Sequence, residues 1–381
     1  MTKFGPAGPP ASWGRVEAGL SQGLADRVCT AACLVVGLEG RVIFEKTVGR
    51  ISDEPGAGPA GPESVFDLAS LTKPLAAGLA CLGLVESGKL DLSRPLGQML
   101  SLPPALAALT PAHLLSHASG LPAWRPFYKD LAGLPWPRRP GRLADLLAQT
   151  GLEHRPGSLT LYSDLNFMLL QLLIEEITDL SLAEVLAWSF YEPLGLRLGF
   201  FVLPDGPGPI QDQVVASERC PWRKRLLQGE VNDENAWALG GIAGQAGLFG
   251  PALDVFKLMS WLAASVKGRA SPSLLSPKTA GLILTRPFAG RSKNKARTIG
   301  FDVPEAEGSV AGRLFGPGAI GHLGFVGASL WHQPQTGLIV VLLTNRTIFG
   351  RENQKIQAFR IKIHNLVADA LDRAGLQAPR Q

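Results

Sequence analysis

A serine and a lysine three residues apart are the first side chains whose types and spacing could do chemistry. They end the motif Ser70-Leu71-Thr72-Lys73, and Pro74 follows directly. Residues three apart lie on one face of a helix, and proline is tolerated only in a helix's first turn. We therefore predict a helix that begins near Ser70, whose amide N–H groups and positive dipole end favour an alkoxide there.

The chemistry of this pair depends on the protonation state of the lysine. Lys73 could take the proton of the Ser70 hydroxyl if burial or a nearby positive group lowers its pKa toward neutrality. The alternative is that Ser70 caps a helix and Lys73 is a solvated surface residue. Further motifs are needed to decide between the two.

The second motif is Tyr162-Ser163-Asp164, which follows a Pro-Gly pair. It predicts a loop that enters a helix, with Ser163 or Asp164 as the cap. The phenol of Tyr162 could act as a second base, or relay a proton between Ser70 and a leaving group. The alternative is a buried tyrosine whose hydroxyl has a structural partner.

The third motif is His322-Leu323-Gly324-Phe325, on a predicted strand near the C-terminus. Gly324 has no side chain, so a substrate backbone could approach the strand edge there. His322 could donate a hydrogen bond to a substrate carboxylate or to Tyr162. The Phe325 N–H, with that of Ser70, could form an oxyanion hole. The alternative is a strand histidine beside a packing glycine.

The elements that must position these motifs are strands at both ends of the chain and helices in the middle. This order predicts one sheet built from the two ends, residues 1–70 and 230–381, with a mostly helical region, residues 71–229, inserted and the active site between them. The predicted helices cover 13–28, 74–87, 142–150, 166–177, 182–190 and 353–371, and the predicted strands 29–38, 41–50, 321–331 and 338–344.

Composition excludes several classes of protein. The 381 residues are 46% hydrophobic and 18% charged, which is typical of a globular protein, and the net charge of +5 does not indicate nucleic-acid binding. No secretory signal and no apolar run of about 18 to 20 residues is evident, so we expect a cytoplasmic protein without a membrane span. Cys29 and Cys33 are predicted to be small buried residues on one face of a strand.

Other patterns are set aside. Residues 316–321 match G-x-G-x-x-G but precede a strand, so dinucleotide binding is not expected. His113 and His117 are four apart without a third metal ligand, which favours a structural role. The glycines at 241, 244 and 247 indicate close backbone packing beside the active site, and the basic residues at 291, 293, 295 and 297 a solvated loop.

The three motifs together resemble the penicillin-binding protein and β-lactamase superfamily of serine hydrolases. They fit the branch that holds class C β-lactamases, D-alanyl-D-alanine carboxypeptidases and family VIII carboxylesterases. That family carries S-x-x-K, then Y-x-N or Y-S-x, then K-T-G or H-x-G, and the order holds here. The resemblance spans about residues 28–367. It includes the further segments 66–69, 114–122, 233–236, 241–249 and 342–346.

The resemblance implies an α/β (α+β) fold of the β-lactamase/transpeptidase type, an antiparallel sheet flanked by helices with a helical insertion. It also implies an acyl-enzyme on Ser70, without cofactor or metal. Lys73 and Tyr162 would be the base pair, and the Phe325 N–H would complete the oxyanion hole. His322 stands where lysine is usual, and Asp164 stands where β-lactamases usually have an asparagine that contacts the substrate.

Both departures favour the esterase and peptidase branches. We therefore expect hydrolysis of a small ester or amide, with carboxylesterase-like activity preferred. D-alanyl-D-alanine carboxypeptidase or β-lactamase activity is the alternative, and a non-catalytic binding member of the fold a further one. The expected partner is a small-molecule substrate; the sequence does not predict its identity or the oligomeric state.

Overall fold

Five antiparallel strands from both ends of the chain form the main sheet. The structure is a computed structural model that describes residues 13–202, 213–289, 297–305 and 308–376. The strand order is β2-β1-β10-β9-β8. These strands are β1 (Ala31–Leu38), β2 (Arg41–Gly49), β8 (Ile320–Leu323), β9 (Ser329–Gln333) and β10 (Leu338–Thr344). Short strands elsewhere are β3 (Phe66–Asp67), β4 (Gly199–Phe200), β5 (Glu218–Cys220), β6 (Arg225–Leu227) and β7 (Leu248–Gly250).

The centre of the sheet is the pair β1 and β10, which joins the two ends of the chain. Both strands are apolar along almost their whole length, and successive side chains point to opposite faces. Leu34 and Leu342 therefore lie in one hydrophobic cluster, whereas Val35 and Val341 lie in the other. The predicted strand 338–344 is confirmed, and it is buried on both faces.

Helices cover both faces of this sheet. Against one face pack α1 (Gly14–Ala25) and α12 (Lys355–Arg373), and against the other packs α10 (Ala252–Val266). The longer helices of the middle region are α2 (Leu79–Glu86), α6 (Arg139–Gln149) and α7 (Asp164–Thr178). The shorter ones are α3 (Pro104–Ala107), α4 (Pro111–Leu115), α5 (Tyr128–Leu131), α8 (Leu182–Leu186), α9 (Glu234–Ala238) and α11 (Pro277–Ala280).

The helix that carries Ser70 begins where the sequence predicts. A 3₁₀ turn, Ala69–Leu71, leads into a π-helical turn, Lys73–Gly78, and then into α2. The segment Ala69–Glu86 is apolar and long enough to satisfy a membrane-span criterion, but 78% of it is buried inside the protein. The central helix of a folded core has the same composition.

Three details differ from the predicted elements. The predicted strand 321–331 is two strands, β8 and β9, because the chain reverses at residues 324–328, where Gly327 takes a φ of 114°. Cys29 precedes β1, so it lies in a different hydrophobic cluster from Cys33 rather than on the same face. The predicted helical region 71–229 also contains β4 and the β5–β6 hairpin. Its boundaries stay a prediction.

The side chain of Asn345 fastens the end of β10 to two other segments. Its Oδ1 accepts hydrogen bonds from the N–H groups of Thr30 and Ala31, both at 3.0 Å. Its Nδ2 donates to Thr30 Oγ1 at 2.7 Å and to the Ala216 carbonyl at 2.8 Å. The residue is 2% exposed, so water cannot replace these bonds when the amide is removed.

We expect Asn345→Ala to lower the free energy of unfolding by about 2–4 kcal/mol, because it leaves buried N–H and C=O groups unpaired. Urea unfolding followed by tryptophan fluorescence measures the change. Gln22→Ala is the control, since that exposed amide makes a single bond to Asp26. Equal midpoints for the two variants would show that the Asn345 amide does not hold the sheet together.

Candidate active site

Ser70 lies at a sharp turn that a buried carboxylate holds in place. Ala69 takes a left-handed φ of 46°, and its N–H donates to Asp67 Oδ1 at 2.7 Å. Asp67 Oδ2 accepts from the Asn232 N–H at 2.7 Å. Burial raises the pKa of Asp67 to about 6, opposed by these two backbone hydrogen bonds. The turn thus presents Ser70 from a fixed backbone, as a positioned nucleophile requires.

The side chain of Lys73 is fully buried beside Ser70. Its Nζ lies 3.1 Å from Ser70 Oγ, 3.0 Å from the Gln245 carbonyl oxygen and 2.7 Å from Asp164 Oδ1. An ammonium group has three N–H donors, and these three oxygens and the Tyr162 hydroxyl share them. The alternative of a solvated surface lysine is therefore wrong.

The electrostatics of Lys73 differ from the expectation that its pKa is lowered. Burial lowers the pKa of Lys73, but the negative charge of Asp164, the interaction with Tyr162 and the hydrogen bonds that Lys73 donates to both residues raise it more, so the net change is upward. The Asp164 carboxylate stands at the position where β-lactamases usually have the uncharged amide of an asparagine. Lys73 is consequently an ammonium ion in the resting protein.

Tyr162 completes the cluster from the loop before α7. Hydrogen bonds to Lys73 and Ser70 connect its hydroxyl to both residues. Burial raises the pKa of Tyr162, and the positive charge of Lys73 opposes this change. The guanidinium of Arg297 lies 5.1 Å from the centre of the phenol ring and adds a second positive charge nearby.

His117 fixes the position of Tyr162, a role that the sequence interpretation missed. The two rings stack with centroids 4.6 Å apart, and His117 Nδ1 accepts a hydrogen bond from the Ser163 N–H at 2.9 Å. Burial lowers the pKa of His117 well below its ordinary value, so the ring is neutral. The sequence signal that could have revealed this role was the position of His117 within residues 114–122, one of the segments that resemble the family. Ser163 does not cap α7 by its side chain, since its hydroxyl donates to the Pro122 carbonyl.

His322 lies next to the cluster but is not charged. Its ring centroid is 6.0 Å from that of Tyr162, and its Nδ1 lies 2.9 Å from the Leu323 carbonyl oxygen. Burial, together with the positive charges of Lys73 and Arg297, holds the pKa of His322 well below its ordinary value. The residue that replaces the usual lysine therefore brings no cation to this position.

Gly324 serves packing rather than an open approach for substrate. A Cβ atom built there would lie 2.9 Å from the Leu68 carbonyl oxygen and 3.5 Å from the Ala69 Cβ. The end of β8 therefore packs directly against the turn that carries Ser70. The sequence-based explanation of this glycine is space for a substrate backbone. That explanation is wrong, because the space is filled by the Ser70 turn.

The cluster opens into a cavity of about 290 Å³. Its lining includes Ser70, Tyr162, Asp164 and the half-exposed aromatic rings of Trp124 and Phe325. The other lining residues are Ala69, Asn232, Asp233, Glu234, Ala246 and Arg351. Sequence reasoning placed Ser70, Tyr162, Asp164 and Phe325 together, and the structure brings them to this one cavity, with Lys73 beneath it.

The remaining patterns have structural explanations. A Cβ atom at Gly244 would lie 2.1 Å from the Phe167 carbonyl oxygen, so the prediction of close backbone packing is confirmed there. His113 belongs to the capping box of α4, and no group of three or more potential metal ligands occurs among the described residues. The predicted basic residues 291, 293 and 295 lie outside the described residues.

Comparisons with known proteins agree with this architecture. A family model described as Beta-lactamase matches residues 16–363. A relative from Salmonella agona (strain SL483), named putative D-alanyl-D-alanine carboxypeptidase, is 30% identical over 355 residues, covering 85% of this chain and 80% of the relative.

Solved structures show the same fold. EstCE1, described as a hydrolase with promiscuous acyltransferase activity, has a TM-score of 0.69 and 24% identity, covering 94% of this chain and 98% of that one. A penicillin-binding protein homologue from Caulobacter crescentus has a TM-score of 0.71 and 20% identity, covering 96% and 99%. The predicted β-lactamase/transpeptidase-type fold is confirmed. Because the family match covers most of the sequence and the fold agrees with it, the protein belongs to the β-lactamase family of serine hydrolases.

Proposed function

We propose that the protein hydrolyses small uncharged carboxylic esters through an acyl-enzyme on Ser70. The observation that carries the proposal is the buried hydrogen-bonded cluster of Ser70, Lys73 and Tyr162 at the floor of a small cavity. A hydroxyl beside an ammonium and a phenol has both a route for its proton and a positive charge to stabilise the alkoxide.

The proton route follows from the hydrogen bonds. Lys73 donates to Ser70 Oγ, so the hydroxyl hydrogen of Ser70 is free to point to the Tyr162 oxygen. The pair accepts a proton only in the form that has lost one proton to solvent, so acylation starts from that form. Ser70 Oγ then bonds to the ester carbonyl carbon while its proton moves to the Tyr162–Lys73 pair. The pair then returns that proton to the alkoxide as the carbon–oxygen bond of the ester breaks. Water attacks the acyl group in the second half, with the same pair accepting and returning a proton.

The charges around the cavity support an uncharged substrate. Three carboxyl groups line it, from Asp164, Asp233 and Glu234. Among the described lining residues the one cation, Arg351, is already paired with Glu234 at 2.6 Å and with Glu218 at 2.7 Å. A substrate carboxylate, such as the terminus of a D-alanyl peptide or the acid group of a β-lactam, would therefore lose hydration here without gaining an unpaired cation among these residues.

The size and the apolar edges of the cavity also support a small uncharged substrate. Its volume of about 290 Å³ is at the low end for small-molecule sites. The rings of Trp124 and Phe325 are 43% and 47% exposed and can pack on a short alkyl chain. A short-chain ester therefore fits the cavity in size, charge and polarity.

A panel of substrates tests the proposal. We expect p-nitrophenyl acetate and butyrate to be hydrolysed with higher kcat/KM than a D-alanyl-D-alanine peptide or nitrocefin. Higher kcat/KM for the peptide would instead support carboxypeptidase activity, the activity named for the Salmonella relative. The absence of turnover and of labelling by a fluorophosphonate would support a non-catalytic binding protein.

We expect Ser70→Ala to lower kcat/KM for p-nitrophenyl butyrate about a thousandfold or more, because no other hydroxyl can form the acyl-enzyme. Mass spectrometry of the fluorophosphonate-treated protein should place the adduct on the peptide that contains Ser70. Ser93→Ala, which removes an exposed hydroxyl bonded to Asp91, is the matched control. Full activity of Ser70→Ala, or a label on another peptide, would contradict the proposed nucleophile.

We expect Asp164→Asn to move the low-pH limb of the kcat/KM profile toward lower pH. The negative charge of Asp164 raises the pKa of Lys73 and also that of Tyr162. Because the reactive form of this coupled pair has lost one proton, removing the charge makes that form available at lower pH. Asparagine keeps an oxygen acceptor near Lys73, so the fold is preserved.

The pH profile for p-nitrophenyl butyrate hydrolysis measures this shift. Glu153→Gln is the control, since it removes a carboxylate from an exposed ion pair with Arg125. A low-pH limb that stays in place, or moves to higher pH, in Asp164→Asn would show that the Tyr162–Lys73 pair does not control the limb.

A further inference from the structure

A buried arginine on α12 lies directly behind the turn that joins β8 to β9. Arg360 is 5% exposed, and its guanidinium donates to three carbonyl groups of this turn, residues 324–328. The distances are 2.9 Å from Nη2 to the Gly324 oxygen, 3.3 Å from Nε to the Gly327 oxygen and 2.7 Å from Nη2 to the Ala328 oxygen. One side chain thus holds both ends of the turn.

A second arginine holds the middle of the same turn. Arg346 Nε donates to the Phe325 carbonyl oxygen at 2.7 Å, and the Arg346 N–H donates to the Val326 oxygen at 2.8 Å. Its guanidinium also lies 4.6 Å from the centre of the Phe325 ring. Every carbonyl group from 324 to 328 therefore has a donor from Arg346 or Arg360.

Two hydrogen bonds to the Gly324 oxygen, from Arg360 Nη2 and from the Gly327 N–H at 3.0 Å, determine where the Phe325 N–H points. The Gly324 C=O and the Phe325 N–H belong to one planar peptide group, and in the trans form they point in opposite directions. With the oxygen held by Arg360 on the α12 side, the N–H is directed away from α12, and Phe325 lines the cavity with Ser70. Among the described residues, no hydrogen bond uses this N–H.

The charge of Arg360 adds a second effect to this geometry. No carboxylate of the described residues forms an ion pair with the guanidinium, and burial lowers the pKa of Arg360 to about 9, which leaves it charged at neutral pH. A positively charged group that is hydrogen-bonded to the Gly324 oxygen polarises the peptide group and makes its N–H a stronger donor. Burying a guanidinium without a carboxylate partner costs free energy. An apolar side chain at this position could fill the same space without that cost, but it would not supply the charge or the hydrogen bonds.

We infer that Arg360 is a positioning residue for ester hydrolysis, which aims and polarises the 324–325 peptide so that the Phe325 N–H binds the oxyanion. The inference rests on the proposed acyl-enzyme mechanism. Arg360 does not touch the substrate; it acts through one peptide group. Its removal therefore weakens binding of the transition state and leaves binding of the ground-state ester unchanged.

The test compares Arg360→Met and Arg360→Lys with wild type, using p-nitrophenyl butyrate and a boronic acid that mimics the tetrahedral intermediate. We expect Arg360→Met to lower kcat about ten- to hundredfold, keep KM within about twofold and weaken boronic acid inhibition by the same factor as kcat. Arg360→Lys keeps the charge and one or two donors, so we expect a smaller loss of both. Arg373→Met, on the exposed end of α12, is the control.

Each result decides the matter. A folded Arg360→Met protein, checked by circular dichroism and active-site titration, with unchanged kcat would overturn the inference. So would a loss of kcat without a parallel loss of boronic acid affinity. If Arg360→Met does not fold, Arg360→Lys decides by the same two readings. A wild-type protein that neither turns over the ester nor is labelled at Ser70 would instead refute the proposed function, and the role of Arg360 with it.

Discussion

A buried ammonium group must have its N–H donors paired, and this requirement holds the site of the protein together. Lys73 lies in the first turns of a core helix, Asp164 at the start of α7, and the Gln245 carbonyl in the loop before β7. These three segments are far apart in sequence and meet at one nitrogen atom. Together with the Tyr162 hydroxyl, these oxygens stabilise a charge that would otherwise be costly to bury.

The partner of that ammonium also determines its chemistry. Burial lowers the pKa of Lys73, and the negative charge of Asp164 is the largest of the effects that raise it. Lys73 therefore carries a positive charge in the resting protein, and in the proposed mechanism the proton of Ser70 passes to the Tyr162–Lys73 pair after that pair has lost one proton. The same carboxylate lines the cavity and pairs with Lys73, so this lysine offers no unpaired charge to an acidic substrate. In the proposal, one substitution relative to the usual motif thus affects both the protonation of the pair and the charge of the cavity.

Much of this arrangement could be predicted from local sequence. The helix start at Ser70 follows from Pro74, and the two-faced strand β10 follows from an unbroken apolar run. The division of 321–331 into two strands was missed because its turn is stabilised by Arg346 and Arg360, which come from later in the chain. A local sequence pattern cannot show hydrogen-bond donors that come from a distant part of the chain.

The site shows the same limit. Residue types and order were enough to select Ser70, Lys73 and Tyr162, because their chemistry is rare in combination. The direction of the Lys73 pKa shift depends on whether burial or the Asp164 charge is larger, and only distances decide that. His117 was missed since its neutral ring acts by stacking and by accepting one backbone hydrogen bond, which no spacing rule reveals.

Two buried cations, Lys73 beside Ser70 and Arg360 behind the 324–328 turn, have separate parts in the proposed reaction. The charge of Lys73 is neutralised by Asp164, so it can stabilise a proton transfer without presenting an excess positive charge to the cavity. Arg360 has no such carboxylate partner among the described residues, and it donates a hydrogen bond directly to the oxygen of the 324–325 peptide. Preorganised donors stabilise the charge that develops on an oxyanion, and the proposed mechanism gives this part to the 324–325 peptide that Arg360 contacts.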